Sequence, residues 1–298
     1  MADKLLIGIS AEGVTVADWR GNRIVECRTF ADNEAGQAGF KEYLARFDNV
    51  PVHILVDVVE EDYRFETLPH ASGSDRADMV SRKIKQHYRN TPYTAAVLLG
   101  RDTGKRRDDR YLFSALTNPD LIADWLQAVA ARGLPVAGIY LLPMVNAELL
   151  EKLDAKAANT LIVAPHASGL RLTFFSDGRF RLSRLTRGDV GRPENRSRYF
   201  TEEISNTRLY LHALRTMTLD EQLTVLLVDR TDELAEVADG VARDNPSLVC
   251  VRLGRQELST HLGLAVPLLE ASPYAIYLQL LGMKEPPSNL APANGTVG

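Results

Sequence analysis

Leu5-Leu6-Ile7-Gly8-Ile9-Ser10-Ala11-Glu12-Gly13-Val14-Thr15-Val16-Ala17-Asp18-Trp19-Arg20-Gly21-Asn22-Arg23-Ile24 reads as an apolar strand, a small-residue turn, a second strand and a Gly-Asn turn into a third. The chain repeats this pattern near its midpoint, in Leu161-Ile162-Val163-Ala164-Pro165-His166-Ala167-Ser168-Gly169-Leu170-Arg171-Leu172-Thr173-Phe174-Phe175-Ser176-Asp177-Gly178-Arg179-Phe180. With Gly13 set on Gly169, an offset of 156, Leu5, Leu6 and Ile7 fall on Leu161, Ile162 and Val163, while Val14 and Val16 fall on Leu170 and Leu172. A repeat at about half the chain length predicts two related lobes with a cleft between them.

Composition bounds the rest. The 298 residues suit two domains and a sizeable core. Apolar residues at 45% and charged residues at 25% are ordinary for a globular protein. A net charge of −4 leaves no basic footprint for nucleic acid. Cys27 and Cys250 stand alone in strand-like runs, which implies neither a metal site nor a disulfide and suits a reducing compartment. The N-terminus lacks a signal-peptide layout. The apolar stretch from Leu262 to Gly282 is interrupted by Pro267, Glu270, Pro273 and Gln279, so it reads as a buried helix, not a membrane span.

Working outward from the first hairpin, Phe40, Tyr43, Leu44 and Phe47 form the stripe of an amphipathic helix. Val52 to Val59 is an apolar run typical of a strand covered on both faces. A helix is expected from Ser74 to about Tyr88, then strands at 95–100 and 111–116, then a helix capped by Asn118 and Pro119 with Ile122, Trp125, Leu126 and Val129 inward. Asp154 to Asn159 is polar and alanine-rich and marks the boundary. The second lobe repeats the plan, with a loop at 188–197, a helix burying Phe200, Ile204, Leu211 and Leu214, and the strand Leu223 to Asp229. The endings Leu55-Val56-Asp57 and Leu227-Val228-Asp229 correspond at an offset of 172, so the second lobe carries extra residues before that strand.

This duplicated plan resembles the actin-like ATPase superfamily, and most closely the type IV pilus assembly protein PilM and the cytoplasmic part of the type II secretion protein GspL. The likeness rests on Glu66-Thr67-Leu68-Pro69 before a helix, on the hairpin from Gly169 to Arg184 with Asp177-Gly178, and on the late helix Tyr274 to Gly282 leading into Ser288-Asn289-Leu290-Ala291-Pro292. The expected fold is α/β: duplicated actin-like (RNase H-like) lobes, each a mixed sheet opening with an antiparallel hairpin and flanked by helices. The first lobe would span 1–157, with a terminal helix at 265–282 packing back on it. The second would span 158–264, and 283–298 would be a linker-like tail.

An actin-like site holds nucleotide phosphates between the two hairpin turns, with a carboxylate for metal-bound water and glycines that let backbone N–H groups approach. The resemblance assigns that role to Ser10, Gly13, Ser168 and Gly169. Yet neither turn has the family's Asp-x-Gly: the first reads Ser10-Ala11-Glu12-Gly13, and the second contains Pro165, which has no N–H. Val228-Asp229-Arg230 stands where the adenosine loop wants Gly-Gly. The segment Gly100 to Arg106 is no P-loop, since its glycines are one residue too close and Arg follows Lys105. Asp57, Glu60, Glu61 and Asp62 read as an exposed strand end or a cation site, and His166 as a structural histidine without a visible partner. Trp19, Tyr140 and Tyr274 read as core or rim aromatics.

The resulting expectation is a non-catalytic scaffold of a bacterial inner-membrane pilus or secretion platform, cytoplasmic and peripheral to the membrane or the cytoplasmic part of a longer membrane protein. No cofactor and no metal are expected. The alternative is a nucleotide-binding or hydrolysing ATPase or kinase with atypical loops, using ATP and Mg. Partners implied by the resemblance are inner-membrane platform proteins and an assembly ATPase; a homodimer is compatible with it. Candidate partner contacts are Arg101, Arg106 and Arg107, the alternative being a solvated turn, together with Asn289 and Leu290. These last resemble the Asn-Leu peptide by which a PilM-like lobe grips its membrane partner, and are read as the start of such a partner carried in the same chain.

Overall fold

The computed structural model describes residues 3–102, 107–166, 168–186, 193–244 and 247–292. The first lobe opens with β1 (Lys4–Ser10), β2 (Gly13–Arg20) and β3 (Arg23–Ala31), followed by α1 (Glu34–Leu44) and β4 (Val52–Asp57). Then come β5 (Glu61–Leu68), α2 (Gly73–His87), β6 (Thr94–Arg101) and β7 (Asp109–Leu116). The lobe closes with α3 (Asp120–Ala131), β8 (Val136–Leu141), a 3-10 turn (Leu142–Val145) and α4 (Asn146–Lys152). The second lobe comprises β9 (Asn159–His166), β10 (Gly169–Ser176), β11 (Arg179–Thr186), α5 (Pro193–Ala213), β12 (Leu223–Asp229), α6 (Ala235–Asp244) and β13 (Leu248–Gly254). Three helices finish the chain: α7 (Arg255–Leu262), α8 (Val266–Ala271) and α9 (Ala275–Met283).

Two five-stranded sheets have the same order, β3-β2-β1-β4-β8 and β11-β10-β9-β12-β13. In each, an antiparallel hairpin is joined to parallel strands through its first member. The duplication reaches the turns: Ser10 pairs with Gly13 and His166 with Gly169, and these glycines have φ of +133° and +138°. A Cβ on Gly13 would lie 2.1 Å from the Phe30 carbonyl oxygen, so the turn admits glycine alone.

The structure adds an element that the sequence reading lacked. Strands β5, β7 and β6 form a separate three-stranded antiparallel sheet inserted in the first lobe, with α2 on one face. β5 went unseen because Glu61-Asp62-Tyr63-Arg64-Phe65-Glu66 is rich in acidic residues, which strands disfavour. Its pairing with β7, unbroken from Glu61↔Leu116 to Leu68↔Asp109, overrides that preference. The expected inward position of Leu214 is also corrected: it lies just past α5 and is exposed.

α9 lies buried on β1, β2 and β3 on one side and on α7 and α8 on the other. It is the centre of an apolar cluster that spans both lobes, from Leu6, Trp19 and Leu55 to Ile162, Phe175 and Leu226. Gly282 admits the Trp19 ring where any Cβ would sit 2.4 Å from it. Gln279 crosses the junction, accepting from the Ile24 N–H at 3.3 Å and donating to the Leu262 carbonyl at 3.1 Å.

The tail is not a free linker through its described part. Leu290 is 1% exposed and inserts into the core behind the first sheet. Its N–H donates to the Ile139 carbonyl at 2.7 Å. The Asn289 side chain accepts from the Ile139 N–H at 3.0 Å and donates to the Ala137 carbonyl at 3.2 Å. The chain thereby covers the outer edge of β8 with its own backbone.

Candidate functional site

The first turn consumes its own donors. Ser10 Oγ accepts from the Glu12 N–H at 3.3 Å and donates to the Gly13 carbonyl at 3.3 Å. Between this turn and its counterpart at Ser168-Gly169 stands Tyr274, at the start of α9. Its Cβ lies 3.3 Å from where a Cβ of Gly8 would be, and its hydroxyl reaches the side chains of Ser10 and Ser168. That hydroxyl donates to Asp57 Oδ2 at 2.9 Å.

Asp57 ends β4 and is the hub of a buried polar network. His166 Nδ1 lies 2.6 Å from its Oδ2, and Arg171 Nε donates to its Oδ1 at 3.0 Å. Arg171 also donates to Glu61, to Ser183 Oγ at 3.1 Å and to the Val58 carbonyl at 3.2 Å. Glu61 accepts from the Tyr63 hydroxyl at 3.1 Å, and His166 Nε2 meets the Tyr277 hydroxyl at 3.2 Å. The His166 ring packs edge-on against Tyr274 and Tyr277, with centroids 5.3 and 5.2 Å apart. The side chains of Asp57, His166 and Arg171 are each 1% exposed. First-lobe carboxylates are thus neutralised by second-lobe cations, which ties the lobes together through a dry interface.

Two sequence expectations are corrected here. Asp57 and Glu61 are neither an exposed strand end nor a cation site: both are buried against Arg171, and among the described residues no cluster with metal-ligand character occurs. His166 is not alone. The reading of Ser168-Gly169 passed over Arg171, although a charged residue inside the apolar run Leu170 to Phe175 was a visible signal. Alternation places Leu170, Leu172 and Phe174 in the second lobe's core, so Arg171 and Thr173 must face the other lobe. The corresponding Thr15 bonds Ser272 at 2.8 Å.

The electrostatics follow from burial and pairing. Burial pushes the Asp57 carboxyl up, but Arg171 and then His166 outweigh it and hold the group well below the usual carboxylate range. Glu61 goes the other way, because burial outweighs Arg171. Burial works against the Arg171 charge, and Glu61 and Asp57 more than restore it. A carboxylate depressed by the fold stabilises above its unfolded pKa and loses that contribution as pH falls towards its folded value, whereas the raised Glu61 opposes this. Asp57 has the larger displacement and sets the sign. The melting temperature is expected to fall steeply as pH drops from about 4 to about 2, and Asp57→Asn to flatten that slope in calorimetric scans. An unchanged slope excludes Asp57 as the source.

Asp229, the equivalent of Asp57 in the duplication, has a different task. It is fully buried and accepts from the backbone N–H groups of Glu233 and Leu234, both at 3.0 Å, just ahead of α6, while Arg252 donates to it at 2.9 Å. Beside it opens a pocket of about 270 Å³ lined by His166, Arg196, Arg230, Thr231 and Glu233 among others. Its cations have partners: Arg196 pairs with Glu233 at 3.0 Å, and Arg230 donates to the Leu269 carbonyl at 3.2 Å.

Of the proposed partner contacts, Arg101 is engaged with Asp109 at 3.1 Å and with His70. Arg107 is exposed with φ of +53°. Arg106 lies outside the described residues, as does most of the loop read at 188–197. Asn289 and Leu290 are bound to the chain's own β8. The Cys27 and Cys250 thiols are pushed up by burial, to about 12 and about 11, and stay protonated.

Two lobes of common topology, with facing hairpin turns and a terminal helix between them, make this an actin-like ATPase fold with a filled interlobe cleft. Solved structures agree. Over 94% of this chain and 98% of the other, the fold is similar to a structure titled "PilM-PilN type IV pilus biogenesis complex", at 13% identity and a TM-score of 0.65. A protein of Bacteroides thetaiotaomicron described as having an actin-like ATPase fold and unknown function matches over 93% and 95% of the two chains, at 8% identity and a TM-score of 0.50. The cytoplasmic domain of EpsL, an inner-membrane component of the type II secretion system of Vibrio cholerae, matches over 76% and 82%, at 9% identity and a TM-score of 0.46, too distant to carry an argument. No protein-family model and no curated protein matches the sequence. Among the described residues, no helix is long and apolar enough to cross a membrane.

Proposed function

We propose that the chain is a non-catalytic actin-like scaffold of a bacterial inner-membrane pilus or secretion platform, acting by protein–protein binding in the cytoplasm at the membrane surface. The observation that carries this reading is the occupied space between the two turns. Tyr274, His166 and Arg171 stand where phosphates would sit, and Asp57 and Glu61 are already neutralised from within the chain. The pairing of PilM with PilN in the most similar structure above supports a partner among inner-membrane platform components, and an assembly ATPase is a second candidate. The β8 edge supports it too. It accepts an Asn-Leu segment as an added strand, the mode by which sheet edges bind peptides.

Titration calorimetry of the full chain with Mg·ATP is expected to give no saturable heat. Deletion of the gene from its bacterium is expected to abolish pilus assembly or secretion, with wild type restoring it. Micromolar nucleotide binding would establish the nucleotide-dependent alternative instead.

A further inference from the structure

The inserted three-stranded sheet carries a surface that none of the foregoing uses. Among the described residues, β6 pairs with β7 alone, so its other edge presents unpaired backbone groups. It is also apolar: Leu98 and Leu99 are 45% and 41% exposed. The helix beside it is thinly held. No residue of α2 is fully buried, and only Met79, Val80 and Ile84 rest on the sheet.

Between helix and edge strand runs an open groove of about 370 Å³, floored by Ala77, Val80, Ala96, Leu98 and Tyr111. Tyr111 is 3% exposed, and its buried hydroxyl has no hydrogen-bond partner. A buried donor left unmade costs about 1–3 kcal/mol, so the groove is incomplete without an acceptor. Arg76 lines the same groove, is exposed, and lies near enough for its charge to act on that hydroxyl. No carboxylate within the described chain pairs with it. An unpaired guanidinium and an unmade hydroxyl donor converging in an apolar groove fit a carboxylate on an apolar strand.

We propose that the groove between α2 and β6 is a docking site for an extended acidic segment of a partner protein, which adds to β6 as a fourth strand, seats an apolar side chain on Val80, Ala96 and Leu98, and places a carboxylate on Arg76 and Tyr111. The site lies apart from the β8 edge and does not depend on the scaffold reading.

The probe is a fluorescein-labelled peptide, Glu-Val-Glu-Leu-Thr-Val-Glu, titrated with the full chain and read by anisotropy. The acidic peptide is expected to bind at least tenfold tighter than its counterpart with lysine in place of glutamate. Arg76→Glu is expected to reverse that preference, and Leu98→Glu and a backbone N-methylated peptide to lose binding at least tenfold. Both substituted residues are exposed, so unchanged thermal melts confirm that the variants fold. Equal binding of the acidic and basic peptides, or acidic-peptide binding that Arg76→Glu leaves unchanged, overturns the proposal. A wild-type dimer in sedimentation that Leu98→Glu dissociates also overturns it, because the occupant is then a second copy of this chain.

Discussion

Arg171→Met is expected to cost about 3–5 kcal/mol of stability, the range for removing one partner of a buried ion pair. The guanidinium is 1% exposed and neutralises two buried carboxylates, Asp57 and Glu61, so its loss strands both in a dry interface. Coulomb attraction is not what makes the cost large. Two charges brought from water repay little of their desolvation by pairing, whereas an unpaired charge in the interior repays none. The triple variant Asp57→Asn, Glu61→Gln, Arg171→Met should therefore recover most of the loss. Urea denaturation of the purified variants gives both numbers. A loss under about 1 kcal/mol for the single variant would show that water reaches the network and that the lobes are not locked by it.

Leu290→Ala is expected to cost about 2–5 kcal/mol, the range for emptying a fully buried leucine site. The residue belongs to a stretch whose composition reads as a linker, which makes the result informative. Asn289→Ala should cost less, about 1–2 kcal/mol, because it removes two hydrogen bonds at an exposed edge. Thermal melts of the two variants measure the difference. If Leu290→Ala melts like wild type, the segment is not anchored on β8, and the edge groove is open to an external strand.

Much of this architecture is legible in the amino-acid order. The hairpin echo, the paired glycines and the matching strands ending in Asp57 and Asp229 are local patterns, each dictated by alternation or by a turn that only glycine admits. What failed to show were elements held by distant partners. β5 is a strand because β7 completes it, and Leu290 is core because β8 and its neighbours wall it in.

The same division runs through the site. Sequence alone shows that both turns lack the Asp-x-Gly chemistry of a nucleotide clamp, because that deficit is a matter of residue type. It does not show what fills the space. Asp57, His166, Arg171 and Tyr274 are separated by up to 217 positions, and no periodicity links a strand end, a turn, a mid-strand arginine and a helix start. Only the closure of one lobe on the other brings them together. Their charges and hydroxyls can then be buried because each finds its partner across the interface, and a cleft suited to phosphate becomes a lock.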